Sequence, residues 1–298
     1  MIKTKNLCLV SGFFALMGAG ILWQKQELNK FGVTHYEFPV SGLKQEKKIV
    51  VLADLHGFSY GKKNERLITA IQEAVPDFIL IAGDMIVSKY PESYDSALHT
   101  LSRLVKIAPV YYSMGNHETR ADRRGASVYP DFQKYCRRAK RLGVIFLRND
   151  NIRLPGKEEL WIGGLEIGLD YYERGRNISM KWDYIKERMG KRSVNGYQIL
   201  LAHNPAYSKQ YAAWGADITL CGHNHGGLVR IPGVGSLISP QFTFFPKYSE
   251  GLHMIYGRKV IISRGLGTHT FHIRVFNRAE LIEIRLFPNY LENPDVNG

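Results

Sequence analysis

The sequence predicts an α/β protein whose strands deliver polar residues to one crevice. Three observations predict it. Apolar, β-rich runs alternate with helical periodicity; strand after strand stops at a polar residue followed by a loop; and many of those residues are Asp or His beside Gly. Ligands of α/β sheets sit outside the carboxyl ends of strands, so residues at those ends are expected to meet.

The first strand is expected over 49–53 and stops at Asp54. Leu67, Ile68, Ile71 and Val75 follow with helical spacing, and Pro76 closes that helix. A second strand over 78–82 runs into Gly83-Asp84, and Ala97, Leu98, Leu101, Leu104 and Val105 mark a helix over 94–106. Strand 110–113 leads to Gly115-Asn116-His117-Glu118, and a basic helix near 131–142 precedes a strand over 144–147. Later strands are expected at 160–162, at 197–202 before His203, at 217–221 before Gly222-His223-Asn224-His225, at 260–262 and at 281–286.

A chain of 298 residues with 45% hydrophobic and 22% charged residues has the composition of a globular protein with a core, which excludes disordered and fibrous classes. The net charge of +13 favours anionic partners: nucleic acid, anionic headgroups or phosphorylated substrates. Its basic residues are scattered, with short clusters at Arg123-Arg124, Arg137-Arg138 and Lys140-Arg141, which argues against a nucleic-acid arm. Cys8, Cys136 and Cys221 are too few for a disulfide framework.

Residues 6–24 carry no charge and are flanked by Lys3, Lys5 and Lys25. At about 1.5 Å per residue this run matches the hydrocarbon core of a bilayer at the short end of the usual range. A membrane anchor is expected over 1–25, with a cleaved signal segment as the competing reading. A connector over 26–47, a catalytic domain over 48–290 and a tail over 291–298 complete the expected organisation. Lys3 and Lys5 balance Lys25 and Lys30, so the flanking charges leave membrane sidedness tied.

The strand ends give five blocks: Asp54-x-His56, Gly83-Asp84, Gly115-Asn116-His117-Glu118, His203 and Gly222-His223-x-His225. Imidazole and oxygen donors without a thiolate suit Mn²⁺, Fe or Zn²⁺ rather than Ca²⁺ or an iron–sulfur cluster. A lone Asp or His at a strand end is usually a cap; five such blocks in one chain make that explanation hard to sustain.

In this order the blocks resemble the calcineurin-like metallophosphoesterase superfamily over most of residues 49–286. The resemblance implies a four-layer α/β/β/α sandwich. It implies one metal on Asp54, His56 and His225, a second on Asn116, His203 and His223, and Asp84 bridging them. His117 would lie over the site and stabilise or protonate the leaving oxygen; apart from the resemblance, Glu118 or another carboxylate is expected to orient it. Two divalent cations are implied, Mn²⁺ first, with Fe or Zn²⁺ as alternatives. Held about 3.5–4 Å apart, they clamp a phosphoryl group while a bridging water, deprotonated near neutral pH, attacks phosphorus.

The Gly-rich stretch 222–240, Tyr248-x-x-Gly251 and Ser263-Arg264-Gly265-Leu266-Gly267 resemble the bacterial, membrane-anchored branch that includes UDP-2,3-diacylglucosamine pyrophosphatases. Asn224 and Leu228 stand where that branch usually has Thr and Gln, which bears on substrate rather than on metal. The expected reaction is hydrolysis of a phosphodiester or pyrophosphate at a bacterial membrane, with a nucleotide-sugar lipid as the substrate. Arg264, His269 and His272 are the expected substrate contacts, and Phe242, Phe244, Phe245 and Tyr248 pack or touch an acyl chain. The alternatives are a phosphodiesterase of broad or nucleotide specificity, a non-catalytic metal-binding scaffold and a nuclease. The presence of His117 speaks against the scaffold.

Overall fold

A computed structural model describes residues 18, 20, 22–125, 127–156, 158–173, 178–192, 195–231, 233–239, 244–268 and 272–289. Two six-stranded sheets carry the fold. The first has the order β1 (Phe31–Val40), β14 (Ala279–Pro288), β2 (Lys47–Leu52), β3 (Phe78–Ile81), β4 (Val110–Ser113), β5 (Ile145–Leu147). The second has the order β12 (Gly251–Ile255), β13 (Arg258–Ile262), β9 (Ile218–Cys221), β8 (Tyr197–Ala202), β7 (Leu160–Leu165), β6 (Asp150–Arg153). A hairpin of β10 (Val229–Ile231) and β11 (Gly235–Ile238) stands apart. Both sheets are mixed: β2 to β5 run parallel while β14 is antiparallel to β2, and β7, β8, β9 and β13 run parallel between antiparallel edges.

The period of two along each strand separates three cores. Ile49 and Val51 face the space between the sheets, where they meet Leu80, Tyr111, Ile199, Leu201, Ile218 and Leu220. Val50 and Leu52 face outward onto Leu67 and Ile68 of helix Glu65–Glu73, Leu101 of helix Pro91–Leu104 and Phe132 of helix Pro130–Leu142. On the other side Leu200 and Ala202 pack with Ile185 of helix Tyr184–Met189 and Tyr211 of helix Ser208–Trp214. The result is helix, sheet, sheet, helix. Pro91 and Pro130 sit in the first turn of their helices, where a missing N–H costs nothing. Gly143, at φ 102°, ends the latter helix as Val144 N bonds Ala139 O and Gly143 N bonds Lys140 O.

Two expectations are corrected here. Residues 31–40, inside the stretch expected as connector, form β1, paired along its whole length with β14. Tyr36, Phe38 and Val40 alternate as a strand should, and Pro39 is tolerated because β1 is an edge strand. Among the described residues no helix is long and apolar enough to cross a membrane, which overturns the expected membrane-anchored location. The described end of that segment is helical over 22–28 and carries Lys25, Gln26 and Glu27. It is tied to the folded body by Glu27 with Arg278 at 3.6 Å and by Trp23 against Phe276. Residues 1–17, which hold most of the apolar run, lie outside the described residues, as does the tail 291–298.

Candidate metal centre

Five strand ends from both sheets meet at one rim. Asp54 follows β2, Asp84 follows β3, Asn116 follows β4, His203 follows β8 and His223 follows β9. The loops are laced together: Asp54 N bonds Gly83 O at 3.0 Å, His56 N bonds Asp84 O at 3.0 Å, and Gly222 N bonds His203 O at 3.0 Å. Asp54, His56, Asp84, His223 and His225 all have positive φ, between 51° and 73°. Each such non-Gly residue stores strain of order 1–3 kcal/mol that only the surroundings can hold. Two glycines allow the close approach. A Cβ on Gly115 would lie 2.2 Å from Asp84 Oδ1, and one on Gly222 would lie 2.5 Å from Asp54 Oδ2.

The side chains form three overlapping triads: Asp54, His56 and His225; His56, Asp84 and His117; Asp84, His203 and His223, with the donor atoms of each within 4.8 Å of one another. Asp84 stands in two of them. His203 Nε2 is 3.1 Å from Asp84 Oδ2 and 3.6 Å from Asp54 Oδ1, His225 Nε2 is 3.5 Å from Asp54 Oδ1, and His56 Nε2 is 3.9 Å from both carboxylates.

Tautomers follow from what the outer nitrogens touch. Nδ1 of His56 bonds Ile86 O at 3.2 Å, Nδ1 of His203 bonds Ala82 O at 2.6 Å, and Nδ1 of His225 bonds Gly267 O at 3.1 Å. A carbonyl only accepts, so these Nδ1 atoms carry the proton and each neutral ring turns an Nε2 lone pair inward. Lone pairs then face carboxylates, and His56 Nε2 faces His225 Nε2 at 3.2 Å. Buried Asn116 Oδ1 accepts no hydrogen bond, and His203 Nε2 lacks an aligned one. Carboxylate, amide and imidazole acceptors converging on one point suit cations, and the residues present fit two of them.

The charges agree. Burial pushes the Asp54 carboxyl up to about 7, against the pull of His203 and with a push from Asp84. Asp84 is held well below the usual carboxylate range: burial opposes this, but the positive charges of His203 and His117 outweigh it. His203 is raised to about 10 although burial disfavours its charge, because Asp84 attracts the proton.

His117 is wired the opposite way. Its Nδ1 accepts from Ser88 N at 3.1 Å, so a neutral ring carries its proton on Nε2. Ser88 is fixed in turn by Tyr94 Oη, which bonds its carbonyl at 2.7 Å. The backbone N–H of His117 donates to Asp84 Oδ1 at 2.8 Å, and its ring stands edge-on to His56 with centroids 5.0 Å apart.

Sequence reasoning missed or misplaced several supports. The Glu118 carboxylate caps the loop 84–86. Oε2 accepts from Asp84 N and Gly115 N, and Oε1 accepts from Met85 N, Ile86 N and Tyr112 Oη. Burial, with Asp84 nearby, raises it to about 7. Arg274, 3% exposed, donates through Nη2 to Gly265 O at 3.1 Å and to Gly267 O at 2.9 Å, the same carbonyl that orients His225. Asn277 Nδ2 holds the carbonyls of His225 and Gly227. Tyr172, its hydroxyl buried without a hydrogen bond, packs edge-on against His223 at 4.9 Å. The available signal was the apolar-to-polar break after Gly267; nothing in it distinguished Arg274 from a surface arginine.

Of the expected substrate contacts, Arg264 is turned to Glu280 at 3.1 Å and Glu250 at 3.6 Å. His272 lines a cleft that opens on His56. His269 and Phe242 lie outside the described residues. Phe244 and Phe245 are 68% and 62% exposed.

A two-sheet sandwich with carboxylate–imidazole triads at its rim defines a class: hydrolases that act on phosphoester bonds. The chain belongs to the calcineurin-like phosphoesterase family, whose model matches residues 47–227. It is similar to the metallophosphoesterase YkoQ of Bacillus subtilis, 28% identical over 247 residues, 80% of this chain and 84% of that one. It is also similar to the phosphodiesterase YaeI of Escherichia coli, 27% identical over 245 residues, 80% and 82% of the two chains.

Proposed function

We propose that this chain is a dinuclear phosphodiesterase in which Asp54, His56 and His225 hold one divalent cation, Asn116, His203 and His223 hold the other, and Asp84 bridges them. The catalytic unit runs over 31–289, because β1 is paired along its length with β14. The observation that carries the reading is the backbone group at each outer nitrogen: a carbonyl meets Nδ1 of His56, His203 and His225, which directs a lone pair to a bound cation, whereas an N–H meets Nδ1 of His117, which directs a proton there. When bound, the cations polarise phosphoryl oxygens and acidify water. Mn²⁺ is proposed first, on a donor set of nitrogen and oxygen without sulfur.

The chain's own groups do the rest. Asp84 Oδ1 keeps the His117 backbone at the rim, and Ser88 keeps the ring's proton on Nε2. From there His117 Nε2–H donates a hydrogen bond to the leaving oxygen as the phosphorus–oxygen bond breaks and steadies the charge that develops there, a contribution of about 10²–10³ in rate. Water supplies the oxygen that joins phosphorus.

The diester is supported by the likeness to a relative named a phosphodiesterase. A second reading, the pyrophosphate of a UDP-2,3-diacylglucosamine-like lipid, is favoured by the exposed rings of Phe244 and Phe245. Purified protein with Mn²⁺ should hydrolyse bis-p-nitrophenyl phosphate and stop on addition of EDTA. His117→Ala should keep its metal, by elemental analysis, and lose about 10²-fold or more in kcat. Full turnover in that variant would refute the donor role.

A further inference from the structure

A cleft of about 360 Å³ adjoins the centre, lined by His56, Gly57, Val87, Tyr90, Glu92, Ser93, Thr268 and His272. It is at the lower end of small-ligand pockets, which run about 300–1,000 Å³. It neighbours His117, whose place is beside the leaving oxygen: His56 forms part of its wall and meets the His117 ring edge-on, centroids 5.0 Å apart.

The lining is unusual for this chain. The sequence has 40 Lys and Arg, yet among the described residues of the cleft there is neither, and the fixed charge present is the Glu92 carboxylate. Helix Pro91–Leu104 begins here, and a free helix start would attract an anion. Glu92 stands in its first turn and already answers that field. A phosphate monoester carries about −1.5 to −2 charges at pH 7, so it would meet a like charge here with no Lys or Arg among the described lining residues to balance it. Hydroxyl groups, in contrast, find partners. Glu92 accepts, Thr268 Oγ1 and His272 Nδ1 form a polar pair at 2.8 Å, and the half-exposed Tyr90 ring offers an apolar face.

We infer that this cleft receives the leaving group and that the group is an uncharged, hydroxylated alcohol, a polyol or sugar, rather than a phosphate. The inference rests on the phosphodiesterase reading and narrows it. In the step, a water oxygen bonds phosphorus, the bond from phosphorus to the alcohol oxygen breaks, and the proton lost by the water ends on that oxygen while His117 Nε2–H holds it by a hydrogen bond.

The test uses the full chain loaded with Mn²⁺ and follows products by phosphorus NMR. Three substrates are compared: glycerophosphoglycerol, UDP-glucose as the anhydride, and bis-p-nitrophenyl phosphate. The glycerol diester should exceed the anhydride in kcat/KM by about tenfold or more. Glu92→Gln should narrow that ratio by about threefold or more, and Tyr90→Ala should raise KM for the glycerol diester more than it lowers kcat. Both side chains are exposed, so folding is not at stake. Equal or better use of the anhydride, or a ratio untouched by Glu92→Gln, overturns the subsite while turnover of the aryl diester leaves the centre standing. An inert aryl diester with metal bound sinks the centre, and the subsite with it.

Discussion

Glu118→Gln exchanges one carboxylate oxygen for an NH₂ at constant volume, and the structure fixes what that exchange costs. Oε2 accepts from Asp84 N at 2.9 Å and Gly115 N at 3.0 Å; Oε1 accepts from Met85 N at 2.9 Å, Ile86 N at 3.3 Å and Tyr112 Oη at 2.6 Å. Whichever way the amide turns, its NH₂ faces two backbone N–H groups. A buried donor left without an acceptor costs about 1–3 kcal/mol, so the folded state should lose about 2–6 kcal/mol. That loss falls on the loop that holds Asp84 at φ 55°. Urea unfolding should show a lower midpoint at unchanged m-value. Mn²⁺ titration should show affinity reduced by about tenfold or more, because the relaxed loop moves the shared carboxylate. Stability within about 0.5 kcal/mol of the parent, with metal binding intact, would refute the assignment of Glu118 as the brace of this loop.

Three further outcomes are expected. Arg274→Met removes the guanidinium from Gly265 O and Gly267 O, so His225 loses its fixed acceptor; metal affinity should fall about 10–100-fold by equilibrium dialysis, and unchanged affinity would refute the relay. Gly115→Ala keeps an ordinary φ of −91° but puts a Cβ 2.2 Å from Asp84 Oδ1, so elemental analysis should find metal lost from a folded protein; full occupancy would refute the close fit. In metal-free protein Asp54 and Glu118, pushed up to about 7 by burial, and His203, raised to about 10 by Asp84 against burial, keep protons that the unfolded chain has released. The native state binds the excess protons, so stability should fall as pH rises from the ordinary carboxylate range towards 10, and saturating Mn²⁺ should flatten the slope; a metal-free melting temperature that climbs over this range would refute it.

How much of this fold was legible depends on where each strand lies. Central strands such as β2, β3 and β9 are buried on both faces, so their apolar runs stand out against the polar ends that follow. β1 was hidden because one of its faces is half exposed and Pro39 interrupts it, features an edge strand tolerates and a sequence pattern reads as connector. β12 pairs with β13 across the short turn at Tyr256 and Gly257, and its alternating half-exposed residues carry too little contrast to be read alone. The apolar N-terminal run had the composition of a spanning segment, but the helix over 22–28 ends in charged residues and is bound to Arg278 and Phe276, contacts that no local pattern encodes.

The site divides along a different line. Its donors were legible because chemistry restricts them: Asp, His and Asn at strand ends beside Gly are few, and their blocks keep a fixed order. Their division of labour came from the resemblance alone, because the four other histidines, His56, His203, His223 and His225, differ from His117 in no property that the side chain itself shows. What separates His117 from His56 is one backbone group apiece. An N–H of Ser88 meets the outer nitrogen of His117, and the carbonyl of Ile86 meets that of His56, two residues away on the same loop. One loop therefore sets the proton on opposite sides of neighbouring rings, making one a donor to the crevice and the other a lone pair. Glu118 pins the 84–86 part of that loop through its N–H groups, so the brace on stability and the choice of tautomer are the same piece of backbone. Loosening it should blur the distinction between ligand and acid before it removes any single contact.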